Sequence, residues 1–372
     1  MARIVFIEVT ATVSYGGVQT SVWRLAEQLA VIGHDVAIFG GEGSIRPAGL
    51  PDNVEVHTFP FVPRNRVPDF GTRFQRIVER ISMARHARKA FIAGHYDWAV
   101  LTKPFDFIWP WLLPKKNRTR FAFVSGGTDF FAGDRVLSRR IETWMAVSHF
   151  NAWQIRSRYR CWPRVIYNGV DTDKFAPGGS TAGLRERLAI STDTVLFVYA
   201  GRLVGLKGVG VALRALAEPE LRGMAVKLLV VGDGPQRPEL KQLAQRLVVA
   251  DRVIFHDPVA HDALPGIYAA VDAGVFPSIS DEAFGIAIAE AMSCAKPVIA
   301  SHIGGIPEVV GNESTCGLLV PPGDPRALAA AMMTVATGVR LRAQMGQAAR
   351  TRIVDSFTWS DSAKRLTAAL KI

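Results

Sequence analysis

Short apolar runs alternate with helical stretches along almost the whole chain, and this alternation constrains the fold more than any other feature. Residues 3–9, 35–39, 54–57, 98–101, 120–124 and 145–147 read as strands. Helices are expected between them, at about 18–32 with Gly33 placed to end it, and at 71–93. Strand, Gly turn, helix and strand in succession make a β-loop-α-β unit, the beginning of a doubly wound sheet.

The alternation stops near 168–181, where Asn168-Gly169 signals a turn and Pro177-Gly178-Gly179-Ser180 reads as a linker. It then restarts with strands at 195–200, 226–231, 253–255, 274–276 and 297–300. Helices are expected at 208–217, 238–249 and 263–270, then in the segment carrying Glu290, and finally in two or three helices across 326–370. The expected fold class is α/β, with two doubly wound Rossmann-like domains facing a central cleft. The boundaries are 1–170 and 171–356, and 372 residues suffice for two separate cores.

Composition narrows the setting. Half the residues are apolar and 21% are charged, which is a globular balance. Cys161, Cys294 and Cys316 are too few and too far apart for a disulfide framework or a metal knuckle, so a reducing cytoplasm is expected. The opening MARIVFIEVT is interrupted by Glu8, which argues against a signal peptide, and no window reaches the ~18 apolar residues of a membrane span. The sequons at Asn117 and Asn312 then read as coincidence. Residues 1–170 hold 23 Lys and Arg against 13 Asp and Glu, while the remainder holds 21 against 20. A basic first half implies an anionic partner, with a well-solvated basic surface as the plainer alternative. No recognisable nucleic-acid-binding module accompanies the charge, so nucleic acid is not expected.

Two features of the first half suggest where that partner would touch. The helix at 71–93 carries Arg73, Arg76, Arg80, Arg85, Arg88 and Lys89, with Phe74, Ile77, Val78, Ile81 and Ala84 expected on its apolar side. After it, Pro104, Pro110 and Pro114 argue against a regular helix. There Phe107, Trp109 and Trp111 stand near Lys115, Lys116, Arg118 and Arg120, a mixture suited to a lipid headgroup layer. Interior packing of these aromatics is the competing reading.

The second half carries the chemistry. Arg202 and Lys207 fall in the loop after one strand, five residues apart, and can converge on a diphosphate; two solvated loop cations are the alternative. Phe284-Gly285 opens a helix after another strand, where free N–H groups suit an anion. Glu282 and Glu290 lie eight residues apart; on one helix that would be ~12 Å along the axis. A hydrolase pair needs its carboxylates about 5–9.5 Å apart, so contacts to different parts of an extended ligand fit better. Gly232-Asp-Gly234 lacks the third glycine of a dinucleotide fingerprint and reads as a tight strand-to-helix turn. Gly16-Gly17 permits close approach of backbone to ligand, and Asp129 in Ser125-Gly-Gly-Thr-Asp129 is a candidate carboxylate. No cluster has metal-ligand spacing.

Taken in order, these pieces resemble the retaining glycosyltransferases of the GT-B fold, family 4. The residues that carry the likeness are Tyr15-Gly-Gly17, Ala146-Val-Ser148, Ile166-Tyr-Asn-Gly-Val-Asp171, Gly201-Arg-Leu203 with Lys207-Gly208, and Val231-Gly-Asp-Gly-Pro235. They continue with Pro277-Ser278, Glu282-Ala-Phe-Gly-Ile-Ala-Ile-Ala-Glu290, Lys296-Pro-Val-Ile299 and Gly304-Gly-Ile-Pro-Glu308. The resemblance implies transfer of a hexose from a UDP- or GDP-sugar with retained configuration, the leaving phosphate taking the acceptor's proton. Arg202 and Lys207 would hold the diphosphate with Gly16, Gly17, Gly232 and the backbone of Phe284, Gly285, Ile286 and Ala287. Glu290 would take the ribose and Glu282 the transferred sugar. The catalytic set is then Glu282, Asp129, Arg202 and Lys207, with no metal and no cofactor beyond the donor.

The resemblance also implies that a helix at about 357–372 returns to the first domain. A lipid-linked, lipopolysaccharide or polysaccharide acceptor of envelope glycan assembly is expected. It would be met by the first domain at an anionic membrane surface through Trp109, Trp111, Lys115, Lys116, Arg73, Arg76 and Arg80. One departure stands out: many members carry a His where this chain has Gly126. A nucleotide-sugar epimerase or a phosphorylase on a similar frame, or a non-catalytic nucleotide-sugar binder, are the alternatives.

Overall fold

The structure is a computed structural model that describes every residue except Tyr15, Thr128 and 180–182. The chain divides into two compact units, residues 1–169 with 359–372, and residues 170–358.

The first unit is built on a seven-stranded parallel sheet. Its strands are β1 (Arg3–Ile7), β2 (Asp35–Gly41), β3 (Val54–Phe59), β4 (Trp98–Leu101), β5 (Arg120–Ser125), β6 (Thr143–Ala146) and β7 (Arg164–Val165). They lie in the order β3-β2-β1-β4-β5-β6-β7. The chain runs outward from β1 to β3, then returns to the other side of β1 as β4. That reversal opens a crevice at the carboxyl ends of β1 and β4, where such sheets take ligands. β7 and the preceding helix, His149–Tyr159, were not expected from the sequence. The final helix, Trp359–Leu370, belongs to this unit and packs on the helix Gly17–Val31.

The basic helix spans Thr72–Ala93, but its inward face differs from the expected one. It buries Glu79, Arg80, Met83, Ala84, Ala87 and Phe91, while Phe74 is exposed. The four-residue spacing Met83–Ala87–Phe91 sets the helical phase, and extending it backward turns Glu79 and Arg80 inward. Arg80 is 2% exposed and paired with Glu8 and Asp106, so it cannot face a membrane or an acceptor as expected.

The proline-rich segment also departs from expectation at Trp109. It forms a 3₁₀ turn at Pro104–Ile108 and a single helical turn at Trp109–Leu112. Phe107 and Trp109 are fully buried, Trp109 at 5.2 Å from Phe91 and Phe107 at 4.9 Å from Phe123 between ring centres. Trp109 is therefore core. Burying its large apolar surface outweighs leaving it at the rim, even though its indole nitrogen finds no partner. Trp111, Lys115, Lys116 and Arg73 stay exposed, and Arg76 is partly so.

The second unit holds β8 (Val195–Ala200), β9 (Val226–Val231), β10 (Val253–His256), β11 (Ala273–Phe276), β12 (Val298–Ser301) and β13 (Gly317–Val320). They form a parallel sheet in the order β10-β9-β8-β11-β12-β13. Its reversal lies between β8 and β11, directly above which the Arg202 and Glu282 loops emerge. Among the described residues, no helix is long and apolar enough to cross a membrane.

Candidate active site

In the second unit, two loops close on one another above β8 and β11. The turn after β8 runs through Gly201 and Arg202 to a 3₁₀ turn, Gly205–Lys207, and ends at Gly208 with φ 68°. A Cβ on Gly208 would lie 1.9 Å from the Pro277 carbonyl oxygen of the loop after β11, so only glycine lets the two loops meet. The Ile279 N–H donates to the Leu206 carbonyl at 2.9 Å and ties them together. The closure brings the Lys207 ammonium into an ion pair with the Glu282 carboxylate.

Glu282 is also fixed from behind. The Gly305 N–H donates to its carbonyl at 2.7 Å, and Gly304, at φ 61°, packs so tightly that a Cβ would stand 2.3 Å from that oxygen. Glu282 thus precedes the helix rather than sharing it with Glu290. The single-helix spacing weighed from the sequence does not apply.

The helix Ile286–Ser293 starts after Gly285, at φ 98°, with no side chain capping its first turn. Its amino end is left with N–H groups and a positive dipole end that suit an anion. Phe284 adds main chain only, because its ring is buried against Phe357 at 5.7 Å. One turn into the helix, Glu290 is 4% exposed, and His261 Nε2 lies 2.6 Å from its Oε1. Tyr268 donates to the Ala287 carbonyl at 3.2 Å and steadies the same turn.

Arg202 is exposed, with its carbonyl accepting a 2.9 Å hydrogen bond from the Tyr199 hydroxyl. Burial, reinforced by Glu282, pushes the Tyr199 phenol far above its ordinary range, so it serves as a fixed donor. Gly232 and Gly234 pack on this loop: their Cβ atoms would stand 2.1 Å from the Gly201 and 2.4 Å from the Leu203 carbonyl oxygens. They shape the turn, as expected.

The first unit places its own charges at the carboxyl ends of β1, β4 and β5. Glu8 follows β1 and is fully buried. Burial alone would raise its carboxyl, but Arg80, Lys103 and the Thr102 and Thr10 hydroxyls hold it at about 2. Burial instead pushes Asp106 up to about 7, since it shares the single Arg80 cation with Glu8. Asp129, at the end of the Gly-rich turn, pairs with Arg76 and with Lys103 at 2.7 Å. These cations overcome its partial burial and hold it at about 2. So placed, Asp129 is a fixed anion and a weak proton acceptor. Thr128 and Tyr15, both within expected motifs, lie outside the described residues.

Gly16 is extended and Gly17 begins the helix Gly17–Val31, again without a side-chain cap. At Gly126, where a His is frequent in the resembled family, a Cβ would already touch Val18 Cγ2 at 3.0 Å. The departure at this position matches the local packing.

Sequence reasoning missed His261, Lys103, Glu8 and Asp106. Lys103 and Glu8 were within its reach, since each lies at the carboxyl end of an expected strand. His261 was not, because its partner Glu290 is 29 residues away with no pattern linking them.

Comparison with known proteins supports the same frame. Residues 15–174 match the family model Glycosyltransferase Family 4, and residues 181–352 match Glycosyl transferases group 1. A D-inositol 3-phosphate glycosyltransferase from Streptomyces scabiei is 38% identical over 208 residues, covering 54% of this chain and 46% of that protein. The chain spans about half the length of the curated relatives it matches. Among solved structures, sucrose-phosphate synthase from Thermosynechococcus elongatus aligns at TM-score 0.84 and 22% identity, covering 100% of this chain and 98% of that one. Anabaena HepE, solved in complex with UDP-glucose, aligns at 0.81 and 22% over 100% of both chains. At these identities the structural likeness speaks to fold. With two family models together matching most of its length and two doubly wound parallel sheets in the same order, the chain belongs to the family 4-type glycosyltransferases of the GT-B fold.

Proposed function

We propose that this protein transfers a hexose from a nucleotide-sugar to an anionic acceptor, with retention of anomeric configuration. The observation that carries the reading is the grouping around one uncapped helix start of Lys207 on Glu282 and His261 on the buried Glu290. Arg202, Lys207 and the amino end of the helix Ile286–Ser293 meet the diphosphate, whose negative charge grows as it leaves. Glu290, oriented by His261, accepts from the ribose hydroxyls. Glu282, oriented by Lys207 and the Gly304-Gly305 turn, accepts from hydroxyls of the transferred sugar. The acceptor hydroxyl attacks on the face the diphosphate leaves, and its proton passes to the departing phosphate oxygen. Charge stabilisation comes from side chains and helix, so this reading needs no metal and predicts turnover in EDTA. UDP- and GDP-sugars are the donor classes, UDP favoured by the UDP-glucose bound in HepE.

The acceptor reading is an anionic one. At the strand ends of the first unit Glu8 and Asp106 are fully buried with Arg80, while the partly exposed charges are Arg76 and Lys103 against the one carboxylate of Asp129, so the charge open to a ligand there is positive. A lipid-linked or lipopolysaccharide-type phosphate of envelope glycan assembly fits that charge. So does a phosphorylated polyol, the acceptor class named for the Streptomyces relatives.

The test is a melting-temperature panel of UDP-, GDP- and ADP-sugars, followed by turnover with the stabilising donor and anomer assignment of the product by NMR. A nucleotide-sugar that raises the melting point and turns over in EDTA supports the reading. Inverted product, donor isomerised without acceptor, or unchanged turnover in Glu282→Ala overturns it.

A further inference from the structure

The first unit carries 26 Lys and Arg against 14 Asp and Glu, while the second carries 18 against 19. One edge of the sheet carries part of this excess with no acid to offset it in sequence. Residues 143–170 contain no Asp or Glu, yet they hold Arg156, Arg158, Arg160 and Arg164.

The helix His149–Tyr159 organises this edge. It starts at Ser148, whose hydroxyl accepts from the Asn151 N–H at 3.0 Å, and it buries Asn151 and Ile155. Tyr159 completes that inward side, donating to Asp134 at 2.9 Å and packing on Trp144 at 4.7 Å. With ~3.6 residues per turn, positions 153, 156 and 160 point away from it. They are Trp153, Arg156 and Arg160, all exposed. Trp153 is 68% exposed and Trp162, just past the helix, 75%. The Arg156 guanidinium lies 3.5 Å from the Trp162 ring centre.

The same unit carries a second Trp–Arg stack. Arg140 covers Trp111 at 4.1 Å, and the Trp111 N–H donates to the Leu137 carbonyl at 2.9 Å. The segment carrying Leu137 and Arg140 is the one whose Asp134 receives Tyr159 and Arg158, so the inward side of the helix His149–Tyr159 is anchored on it.

We propose that the outer face of His149–Tyr159, with Trp153, Trp162, Arg156 and Arg160, docks this protein on an anionic lipid bilayer surface. Indoles with arginines beside them match the headgroup layer, where the ring meets acyl chains and the guanidinium meets lipid phosphate. One face of Trp162 is already covered by Arg156, which leaves it poorly suited to stack nucleobases. This platform replaces the buried Trp109 and Arg80 of the sequence expectation, and it stands independently of the transferase reading.

The test uses the full chain with vesicles of phosphatidylglycerol and phosphatidylcholine, or of phosphatidylcholine alone. We expect binding to the first only, weakened by salt, with tryptophan fluorescence quenched by brominated acyl chains. Arg156→Ala with Arg160→Ala should weaken binding roughly 30-fold, as two cations at an anionic surface imply. Trp153→Ala with Trp162→Ala should weaken it and remove most of the bromolipid quenching, both pairs melting as the parent does. Phe70→Ala with Phe74→Ala, the other exposed aromatic pair, should bind as the parent does. The proposal fails if the parent ignores anionic vesicles, if these Trp and Arg pairs bind unchanged, if the Phe pair alone abolishes binding, or if single-stranded oligonucleotide binds more tightly than vesicles through the same residues. Trp153→Phe with Trp162→Phe, which keeps the aromatic bulk, should still bind anionic vesicles but lose most of the bromolipid quenching, and quenching unchanged in that pair overturns the proposal even if an alanine variant folds poorly.

Discussion

His261 and Glu290 form one polar unit inside the donor-side loops: Nε2 stands 2.6 Å from Oε1, with the carboxylate 4% exposed. A carboxylate this buried stays costly unless a donor meets it. His261→Ala should leave it without that donor and let it turn. Nucleotide affinity is expected to fall roughly tenfold, the size of one charge-assisted hydrogen bond. Titration calorimetry with the stabilising nucleotide reads this directly, and undiminished affinity would remove Glu290 from the ribose role.

Lys207 and Glu282 depend on each other in the same way. Lys207→Met should lower kcat by roughly 10²–10³, because one cation facing the leaving diphosphate is lost. Glu282→Gln, which keeps shape and hydrogen bonding, should retain more turnover than Glu282→Ala. If both Glu282 variants turn over like the parent, Glu282 does not touch the transferred sugar.

Gly304→Ala tests the support behind Glu282. The added carbon would stand 2.3 Å from the Glu282 carbonyl oxygen at a backbone φ of 61°, so the loop must shift. Turnover should fall by about tenfold or more while nucleotide binding, made by other residues, changes little. Equal losses in both would point to general misfolding of the loop, and a far-ultraviolet melt separates that case.

Arg80 is directly ion-paired with two buried carboxylates, Glu8 and Asp106. Arg80→Leu should destabilise the protein by ~3–5 kcal/mol, since Glu8 and Asp106 would lose their direct ion-pair partner. A denaturant midpoint near the parent's would contradict this account of the network.

Asp106 gives that network a pH signature. Burial raises its carboxyl from 3.8 to about 7, so between these values the folded state holds more protons than the unfolded state. Stability contributed at this site therefore falls as pH rises through that window. Glu8 acts oppositely: its folded value of about 2 lies below 4.5, and its contribution is lost as pH falls between them. Asp106→Asn should flatten the stability profile from pH ~4 to ~7, making the variant gain on the parent toward pH ~8. Parallel profiles would mean Asp106 does not titrate there.

Much of the donor side was legible because it depends on local order. A parallel sheet sends its chain ends to one side, so Arg202, Lys207 and Glu282 could be placed after strands once those were recognised. The apolar runs themselves marked the strands, since residues buried on both faces leave no other periodicity. The acidic helix could likewise be read from Phe284-Gly285 onward.

Partners were decided only by the tertiary structure. Thr102 reaches Glu8 across 94 positions, Arg80 reaches Asp106 across 26, and His261 reaches Glu290 across 29. Periodicity records how consecutive residues face, not which distant charge arrives beside them. The same limit reversed the tryptophans. Trp109 sits in a basic, proline-broken stretch yet is fully buried, while Trp153 and Trp162 lie on a helix edge without a distinguishing pattern and are open. By itself the sequence determined two wound sheets and the loops at their carboxyl ends, because hydrophobic spacing is a local property. Only folding decided which charges lie inside and which indoles face out, because burial is settled by the summed packing of segments far apart in the chain.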